Sequence, residues 1–192
     1  MNGMEKKSGA VFLDRDGTIN EEVGYLDRLE KLHIFPAAFD AVRMINESGM
    51  KVVVVTNQSG VARGFFDEAF VNAVHEHMRK TFQERGAFID HFYCCPHHPT
   101  EGIGRYRVSC SCRKPEPGML VQASAELDID LPGSYVVGDT ARDMELANRT
   151  GARGILVRTG YGKEAALSKI RAAHIAKDIL DAAYWILKDR KR

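Results

Sequence analysis

The chain alternates short, continuous apolar runs with longer runs in which apolar residues recur every three or four positions. Five of the short runs are rich in β-branched or aromatic residues and are bounded by Gly, Asp or Pro. Strands that are covered on both faces have such a continuous apolar pattern. The pattern predicts strands at residues 10–14, 51–56, 88–94, 134–138 and 154–158.

The longer runs have the periodicity of amphipathic helices. In one of them Phe70, Val74, Met78 and Phe82 recur every four residues, which predicts a helix with one buried stripe. Glycine commonly ends such helices because it adopts a left-handed conformation without strain. Comparable patterns predict helices over residues 37–48, 118–127, 141–150 and about 179–187, with Gly49 and Gly151 at two of the C-terminal ends and Trp185 as a packing residue of the last helix.

Strand–helix alternation of this kind predicts an α/β fold with a doubly wound, mostly parallel, Rossmann-like sheet. The chain has 192 residues and no Pro/Gly/Ser-rich linker. We therefore expect a single domain over residues 10–192, without a large cap, after a flexible N-terminus at residues 1–9. Because ligands of such folds bind at the carboxyl ends of the strands, the residues that follow each strand are the candidates for a functional site.

The composition excludes several classes of function. Lys and Arg number 27 and Asp and Glu number 26, so the formal net charge of +1 gives no reason to expect a nucleic-acid or membrane partner. No run approaches the roughly 18 apolar residues that span a bilayer, and the N-terminus lacks an apolar signal-peptide core. We expect a cytoplasmic monomer whose four cysteines form no disulfides.

The first predicted strand runs into "DRDGT", which places Asp14 and Asp16 at the crevice. Two carboxylates at the exit of a buried strand are unfavourable unless a cation compensates them. Mg²⁺ prefers oxygen ligands and is commonly held by one or two carboxylates together with a substrate phosphate. The pentapeptide favours a magnesium site over the structural alternative, a surface Asx-turn.

Polar residues follow other predicted strands as well. Thr56 and the turn after it offer a hydroxyl and amides to phosphate oxygens, and Lys114 offers a compact positive charge. Asp139 ends the fourth strand, and Asp143 either faces the same side or caps the new helix. Each segment alone is consistent with a polar loop, an exposed basic pair or a helix cap. Together they predict one site for phosphate and a cation.

Four segments, "FLDRDGT", "VVVTNQSG", "CRKPEPGM" and "VVGDTARDM", resemble in order the four motifs of the haloacid dehalogenase superfamily of phosphohydrolases. The resemblance extends from about residue 10 to residue 160 and is nearer to the D-glycero-D-manno-heptose 1,7-bisphosphate phosphatases, which also resemble the histidinol-phosphate phosphatases. It implies a Mg²⁺-dependent phosphomonoesterase of lipopolysaccharide heptose biosynthesis. Its substrate would be a small phosphorylated sugar, hydrolysed at the 7-phosphate.

The resemblance also implies a role for each motif residue. Asp14 corresponds to the nucleophile that forms an aspartyl-phosphate, and Asp16 to the general acid and base. The Asp14 side chain, the Asp16 carbonyl and Asp139 would hold Mg²⁺, with Asp143 acting through water. Thr56 and Lys114 would clamp the phosphoryl group. The implied substrate contacts are Glu22, Val23, Gly24, Tyr25, Asn57, Gln58, Ser59, Arg113 and Thr140.

Three of these positions carry a more specific expectation. Arg113 corresponds to a substrate-recognition residue and is expected to bind a second, non-reacting phosphate. Thr140 stands where Lys is expected in close relatives, which leaves the sugar contacts and the anomer preference open. Asp16 lies beside Asp14, and we expect one of these two carboxyl groups to have a raised pKa because neighbouring negative charges disfavour double ionisation.

A cluster of cysteines predicts a second metal. Cys95 and His97 are followed, after residues 98–109, by Cys110 and Cys112. Four N/S ligands suit a structural, tetrahedral Zn²⁺ site, although the one-residue spacing is unusual and scattered free thiols are the alternative. The resemblance implies a zinc-pinned loop over residues 95–112, because heptose bisphosphate phosphatases carry these ligands in this order. His98 is the competing ligand to His97, and Cys94 is expected to be a small buried strand residue.

Other functions remain compatible with parts of the sequence. The nearest is a histidinol-phosphate phosphatase, a family that carries a shorter zinc loop. A zinc-stabilised nucleic-acid-binding module is disfavoured by the near-neutral charge and by the few aromatic residues in the loop. An inactive scaffold of the same fold is disfavoured because no core motif residue is missing.

Overall fold

The computed structural model describes residues 8–191. Residues 1–7 of the expected flexible N-terminus lie outside the described residues, and Ser8 forms a parallel bridge with Ile129. The strands are β1 (Ala10–Leu13), β2 (Lys51–Asn57), β3 (His91–Cys95), β4 (Tyr135–Gly138), β5 (Arg153–Val157) and β6 (His174–Ala176). The helices are α1 (Pro36–Glu47), α2 (Glu68–Glu84), α3 (Gly118–Leu127), α4 (Ala141–Thr150), α5 (Gly162–Ala165) and α6 (Ile179–Asp189).

The six strands form one sheet in the order β3-β2-β1-β4-β5-β6, and every neighbouring pair is parallel. The predicted doubly wound α/β fold is confirmed. The chain winds outward from β1 in one direction through β3 and then in the other direction from β4, so the strand order reverses between β1 and β4. This reversal opens a crevice beyond the carboxyl ends of those two strands.

Both faces of the sheet are covered by helices, which explains why the strands are continuously apolar. Along β1, Val11 and Leu13 belong to the core shared with α1, α2 and α6. Ala10 and Phe12 point to the opposite face, where they pack with residues of α3 and α4. All four side chains are fully buried. The sheet is therefore a rigid platform, and its carboxyl edge is where polar side chains can emerge.

The five predicted strands and the five predicted helices are present, with boundaries that differ by one to three residues for most elements. In the predicted stripe of α2, Val74, Met78 and Phe82 are buried, whereas Phe70 is half-buried. The pattern missed β6 and the one-turn helix α5, because three or four residues are too few to show a period. No helix within residues 8–191 combines the length and the apolar character that a membrane crossing requires.

Candidate active site

A cavity of about 310 Å³ opens at the carboxyl edge of the sheet, at the reversal of the strand order. Ligand sites of small molecules commonly have this size and position. The residues that line it are Asp14, Asp16, Glu22, Gly24, Tyr25, Thr56, Asn57, Gln58, Ser59, Gly60, Arg63, His98, Arg113, Lys114, Asp139, Thr140, Arg142 and Tyr161.

Three carboxylates and one lysine form the floor of this cavity. Asp14 follows β1 and Asp139 follows β4, while Asp143 lies in the first turn of α4, and one oxygen of each lies within 4.8 Å of the others. Lys114 places its Nζ 2.8 Å from Asp14 Oδ1 and 2.7 Å from Asp143 Oδ1. The Asp14 side chain is 13% exposed, and the other three groups are nearly inaccessible.

The floor carries more negative charge than its lysine balances. Burial raises the pKa of Asp14 to about 8, an effect that Lys114 opposes and that Asp143 and Asp139 reinforce. Burial likewise raises the pKa of Asp139 to about 7. Three hard oxygen donors around one point, with a net charge of −3 + 1 = −2 when all are ionised, fit a divalent cation such as Mg²⁺. The residues present therefore suit the metal that the sequence predicts.

Asp16 differs from Asp14 in its environment. The guanidinium of Arg15, itself 1% exposed, donates from Nη2 to Asp16 Oδ2 at 2.8 Å, and Asn20 and Gln58 each donate one more hydrogen bond to the carboxylate. Although burial favours the neutral acid, Arg15 and these hydrogen bonds hold the pKa of Asp16 below its usual value. One of the two acids has a raised pKa, as expected, but from a different cause: burial raises the pKa of Asp14, and the negative charges that reinforce it are those of Asp143 and Asp139, not that of Asp16.

Asp143 has both carboxylate oxygens occupied by protein groups. Its Oδ1 accepts the hydrogen bond from Lys114, and its Oδ2 accepts from the backbone amide of Thr140 at 3.1 Å and from the Thr140 hydroxyl at 2.5 Å. The reciprocal bonds of a capping box begin α4 here. Both readings of Asp143, as a helix cap and as a member of the acidic cluster, therefore apply.

The side chains expected around Thr56 mostly organise the site. Gln58 Nε2 donates to Thr56 Oγ1 at 2.8 Å as well as to Asp16 Oδ2. Asn57 uses both amide atoms on the backbone of Lys114, accepting from its N–H at 3.0 Å and donating to its carbonyl at 3.1 Å. These bonds connect the segment after β2 with the lysine of the floor.

Eight of the nine predicted substrate contacts line the cavity, and Val23 does not. Its side chain packs against the core that covers α1 and α2. Neighbouring Glu22 reaches the cavity and accepts a hydrogen bond from the Gly24 amide at 2.5 Å.

Basic residues that the sequence did not identify as site residues form one wall of the cavity. Arg63, His98 and Arg142 line the cavity together with the predicted Arg113. Burial lowers the pKa of Arg113, and the positive charge of Arg142 contributes in the same direction. Within the part of the chain that the structure describes, no carboxylate pairs with Arg113 or Arg142. The cavity therefore has an acidic floor and a basic wall.

The four predicted zinc ligands converge at the end of β3. The Sγ atom of Cys112 lies 3.3 Å from Cys110 Sγ and 3.4 Å from His97 Nδ1, and Cys95 Sγ lies 3.5 Å from Cys110 Sγ and 3.8 Å from His97 Nδ1. A tetrahedral Zn²⁺ with bonds of about 2.0–2.3 Å has ligand-to-ligand edges of about 3.3–3.8 Å. The donor set and its spacing therefore fit Zn²⁺.

His97, not His98, belongs to this cluster. The ring of His98 instead accepts a hydrogen bond from the Glu101 amide at 3.0 Å and lines the cavity. Arg113 Nη1 donates to the His97 carbonyl at 2.9 Å, so the cluster is joined directly to the basic wall. Cys94 lies on β3 outside the cluster, where it is half-buried and where burial raises its pKa to about 12.

A doubly wound sheet whose first strand leads into "DRDGT" and whose fourth leads into "GDTARD" is the arrangement of HAD-like hydrolases, and a family profile described as HAD-hydrolase-like matches residues 111–182. The chain is 44% identical over 159 residues to the D-glycero-beta-D-manno-heptose-1,7-bisphosphate 7-phosphatase of Yersinia pestis. This alignment covers 82% of the chain and 84% of the relative. The chain is 40% identical over 185 residues to the D-glycero-D-manno-heptose-1,7-bisphosphate 7-phosphatase of Thermosynechococcus vestitus, covering 92% and 94%. The chain belongs to this family of phosphatases.

Solved structures agree with this placement. The D,D-heptose 1,7-bisphosphate phosphatase of B. bronchiseptica, complexed with magnesium and phosphate, superposes with a TM-score of 0.84 at 33% identity, and the match covers 94% of this chain and 99% of the other. The corresponding enzyme of Burkholderia thailandensis gives a TM-score of 0.69 at 31% identity, with coverages of 94% and 99%.

Proposed function

We propose that this protein hydrolyses the 7-phosphate of D-glycero-D-manno-heptose 1,7-bisphosphate through an aspartyl-phosphate on Asp14. The observation that carries the proposal is the position of Asp14. Its carboxylate lies on the floor of the cavity, within 4.8 Å of Asp139 and Asp143 and in contact with Lys114. The names and the high similarity of the relatives support the substrate.

In this proposal Asp14 attacks phosphorus while Lys114 and the Thr56 hydroxyl bind the equatorial phosphoryl oxygens. The P–O bond to the sugar breaks, and Asp16 donates a proton to the leaving alkoxide. Asp16 then removes a proton from water, which attacks the acyl phosphate and regenerates Asp14. Because the metal-free pKa of Asp16 is low, it must leave Arg15 and approach the phosphoryl group to act as an acid.

Magnesium would be held by the carboxylates of Asp14 and Asp139 and by the carbonyl of Asp16, and it would supply positive charge against the transferring phosphoryl group. The occupied oxygens of Asp143 support its contact through water instead of direct ligation. Lys114 and the cation together reduce the electrostatic repulsion among the three carboxylates. Lys114 balances one negative charge permanently, and the cation would balance the other two.

The basic wall is the proposed binding site of the second phosphate. Arg113 and Arg142 have no carboxylate partner among the described residues, so their guanidinium groups are available to an anion. Histidinol phosphate has a positively charged amine where the sugar bisphosphate has its second phosphate. The wall therefore favours the bisphosphate over this alternative substrate. Thr140 and Tyr25 would contact the sugar between the two phosphates, together with Glu22, Gly24 and Ser59.

Zinc is the proposed structural metal of the loop over residues 95–112. It would fix the loop immediately before Arg113 and Lys114, so that loss of zinc disturbs substrate fit before it disturbs the phosphorus chemistry. Four cysteines without disulfides suit a reducing compartment, and we propose that the protein acts in the cytoplasm. A single domain over residues 10–192 and a monomeric state complete the proposal.

The test is phosphate release from both anomers of the heptose bisphosphate, from heptose 1-phosphate and from histidinol phosphate, each with and without Mg²⁺. We expect turnover of a bisphosphate anomer only when Mg²⁺ is present, and loss of that turnover in Asp14→Asn. The exposed Asp27→Asn substitution is the matched control. A clear preference for histidinol phosphate would overturn the substrate assignment, and full activity of Asp14→Asn would overturn the mechanism.

A further inference from the structure

Asp139 is held by a fifth strand-end segment that no motif of the sequence singled out. Residues 159–161 follow β5 after one intervening residue and reach back to two other strand ends. The Tyr161 amide donates to Asp139 Oδ2 at 2.8 Å, and the Thr159 hydroxyl donates to the Gly17 carbonyl at 2.5 Å. The segment thereby connects the acid that follows β4 with the turn that follows β1.

The carboxylate of Asp139 fits into a slot between two glycines. A Cβ added at Gly160 would lie 2.1 Å from Asp139 Oδ2 and 2.7 Å from Gly17 Cα, and a Cβ added at Gly17 would lie 2.2 Å from the same oxygen. Both glycines have positive φ angles, +52° at Gly160 and +79° at Gly17. Any side chain at either position would therefore displace the carboxylate.

We propose that residues 159–161 are positioning residues for the magnesium site. The Tyr161 amide occupies Oδ2 of Asp139, the slot prevents the carboxylate from turning, and Oδ1 is left for the cation. A ligand whose orientation is fixed before binding loses less conformational freedom when the metal binds. The proposal rests on the assignment of Asp139 as a magnesium ligand under the proposed function.

The direct test is Mn²⁺ binding, measured by the electron paramagnetic resonance signal of free Mn²⁺ in zinc-containing protein. In Gly160→Ala we expect the dissociation constant to rise about 10- to 100-fold, as for other groups that orient metal ligands. We also expect the Mg²⁺ concentration for half-maximal activity to rise while kcat at saturating Mg²⁺ changes by less than about threefold. Gly49→Ala is the matched control, because its φ of +78° imposes similar backbone strain and no atom lies within 4 Å of the added Cβ.

A second pair of variants keeps the test decisive if Gly160→Ala does not fold. Thr159→Val removes the hydrogen bond to Gly17 and is expected to weaken Mn²⁺ binding, whereas Thr159→Ser retains the hydroxyl and is expected to restore it. Asp139→Asn is measured alongside and is expected to lose Mn²⁺ binding. If it does, a wild-type affinity for Mn²⁺ in Thr159→Val, or in a folded Gly160→Ala, refutes the positioning role. Unchanged Mn²⁺ affinity in Asp139→Asn refutes the metal site itself and the positioning role with it.

Discussion

Replacement of Asp14 by Asn is expected to have opposite effects on catalysis and on stability. The carboxylate of Asp14 is needed for catalysis, but its charge destabilises the metal-free folded protein. In the metal-free protein Asp14 is one of three acids around a single lysine. The substitution keeps the shape and an oxygen acceptor for Lys114 but removes the charge. We therefore expect a more stable metal-free protein that has lost at least about 10⁴-fold in turnover.

The gain in stability follows from the distances. At an effective dielectric constant of about 20, like charges no more than 4.8 Å apart repel by at least about 3.5 kcal/mol, and opposite charges 2.8 Å apart attract by about 6 kcal/mol. Removing the Asp14 charge relieves two such repulsions, from Asp139 and Asp143, and loses the attraction to Lys114. The balance favours the variant by at least about 1 kcal/mol, and relief of carboxylate burial adds to this gain. Each kcal/mol raises Tm by about 2–4 °C in a chain of this size.

The effect also has a defined pH dependence. The pKa of Asp14 in the folded, metal-free protein is about 8, above the ordinary value of 3.8, so the folded state holds this proton more tightly than the unfolded state does. Asp14 therefore costs no stability below about pH 4, and its cost grows as the pH rises toward 8. The difference in Tm between the variant and the wild type is expected to be largest above pH 8, and Mg²⁺ is expected to raise the Tm of the wild type more than that of the variant.

Calorimetry in magnesium-free buffer measures this difference. No chelator is added, because it would also remove zinc. Asp27→Asn is the control, since Asp27 forms an exposed pair with Lys31 at 2.8 Å and the loss of such a pair should leave the Tm close to that of the wild type. A metal-free Asp14→Asn protein with a Tm below that of the wild type at every pH would refute the electrostatic account of the site.

Three further predictions concern the lysine of the floor, the cysteine and histidine cluster, and the basic wall. Lys114→Met leaves Asp14 and Asp143 without their cation and is expected to lower the metal-free unfolding free energy by about 3–5 kcal/mol in urea titrations; an unchanged midpoint would contradict this. Cys112→Ser is expected to lose zinc by elemental analysis and to raise KM for the bisphosphate about tenfold while kcat stays within about threefold; retention of zinc would argue against the ligand set. Arg142→Ala is expected to raise KM about tenfold for the bisphosphate and to leave a small monophosphate unaffected; equal losses on both would show that Arg142 does not bind the second phosphate.

Much of the fold was predictable because it depends on local pattern. Continuous β-branched runs identify the inner strands of a doubly wound sheet, and the rule that ligands bind at the carboxyl ends of strands predicts from the sequence that Asp14, Thr56 and Asp139 share one site. The edge strand β6 escaped because His174–Ala176 has only three residues and its central Ile175 is 41% exposed.

The parts of the site that escaped depend on side-chain direction. The pKa of Asp14 is raised because its carboxyl group is buried beside Asp143 and Asp139, whereas Arg15 lowers the pKa of Asp16, and the sequence does not show which way these side chains turn. His97 and His98 are adjacent, and only the fold of the loop turns one into the cluster. Residues 159–161 could have been found, since they follow a predicted strand as directly as Asp139 does.

The cysteine and histidine cluster fastens its loop only at the base. Cys95 ends β3, and Cys112 is adjacent to Arg113, so both attachments belong to the scaffold that carries the basic wall. The stretch between them, residues 99–108, contributes none of the four donor atoms. The tip is held separately, because the Ile103 amide donates to the Ala62 carbonyl at 2.9 Å and Glu101 pairs with Arg63. A change in the tip would therefore reach the basic wall through Arg63, while the floor does not depend on the tip.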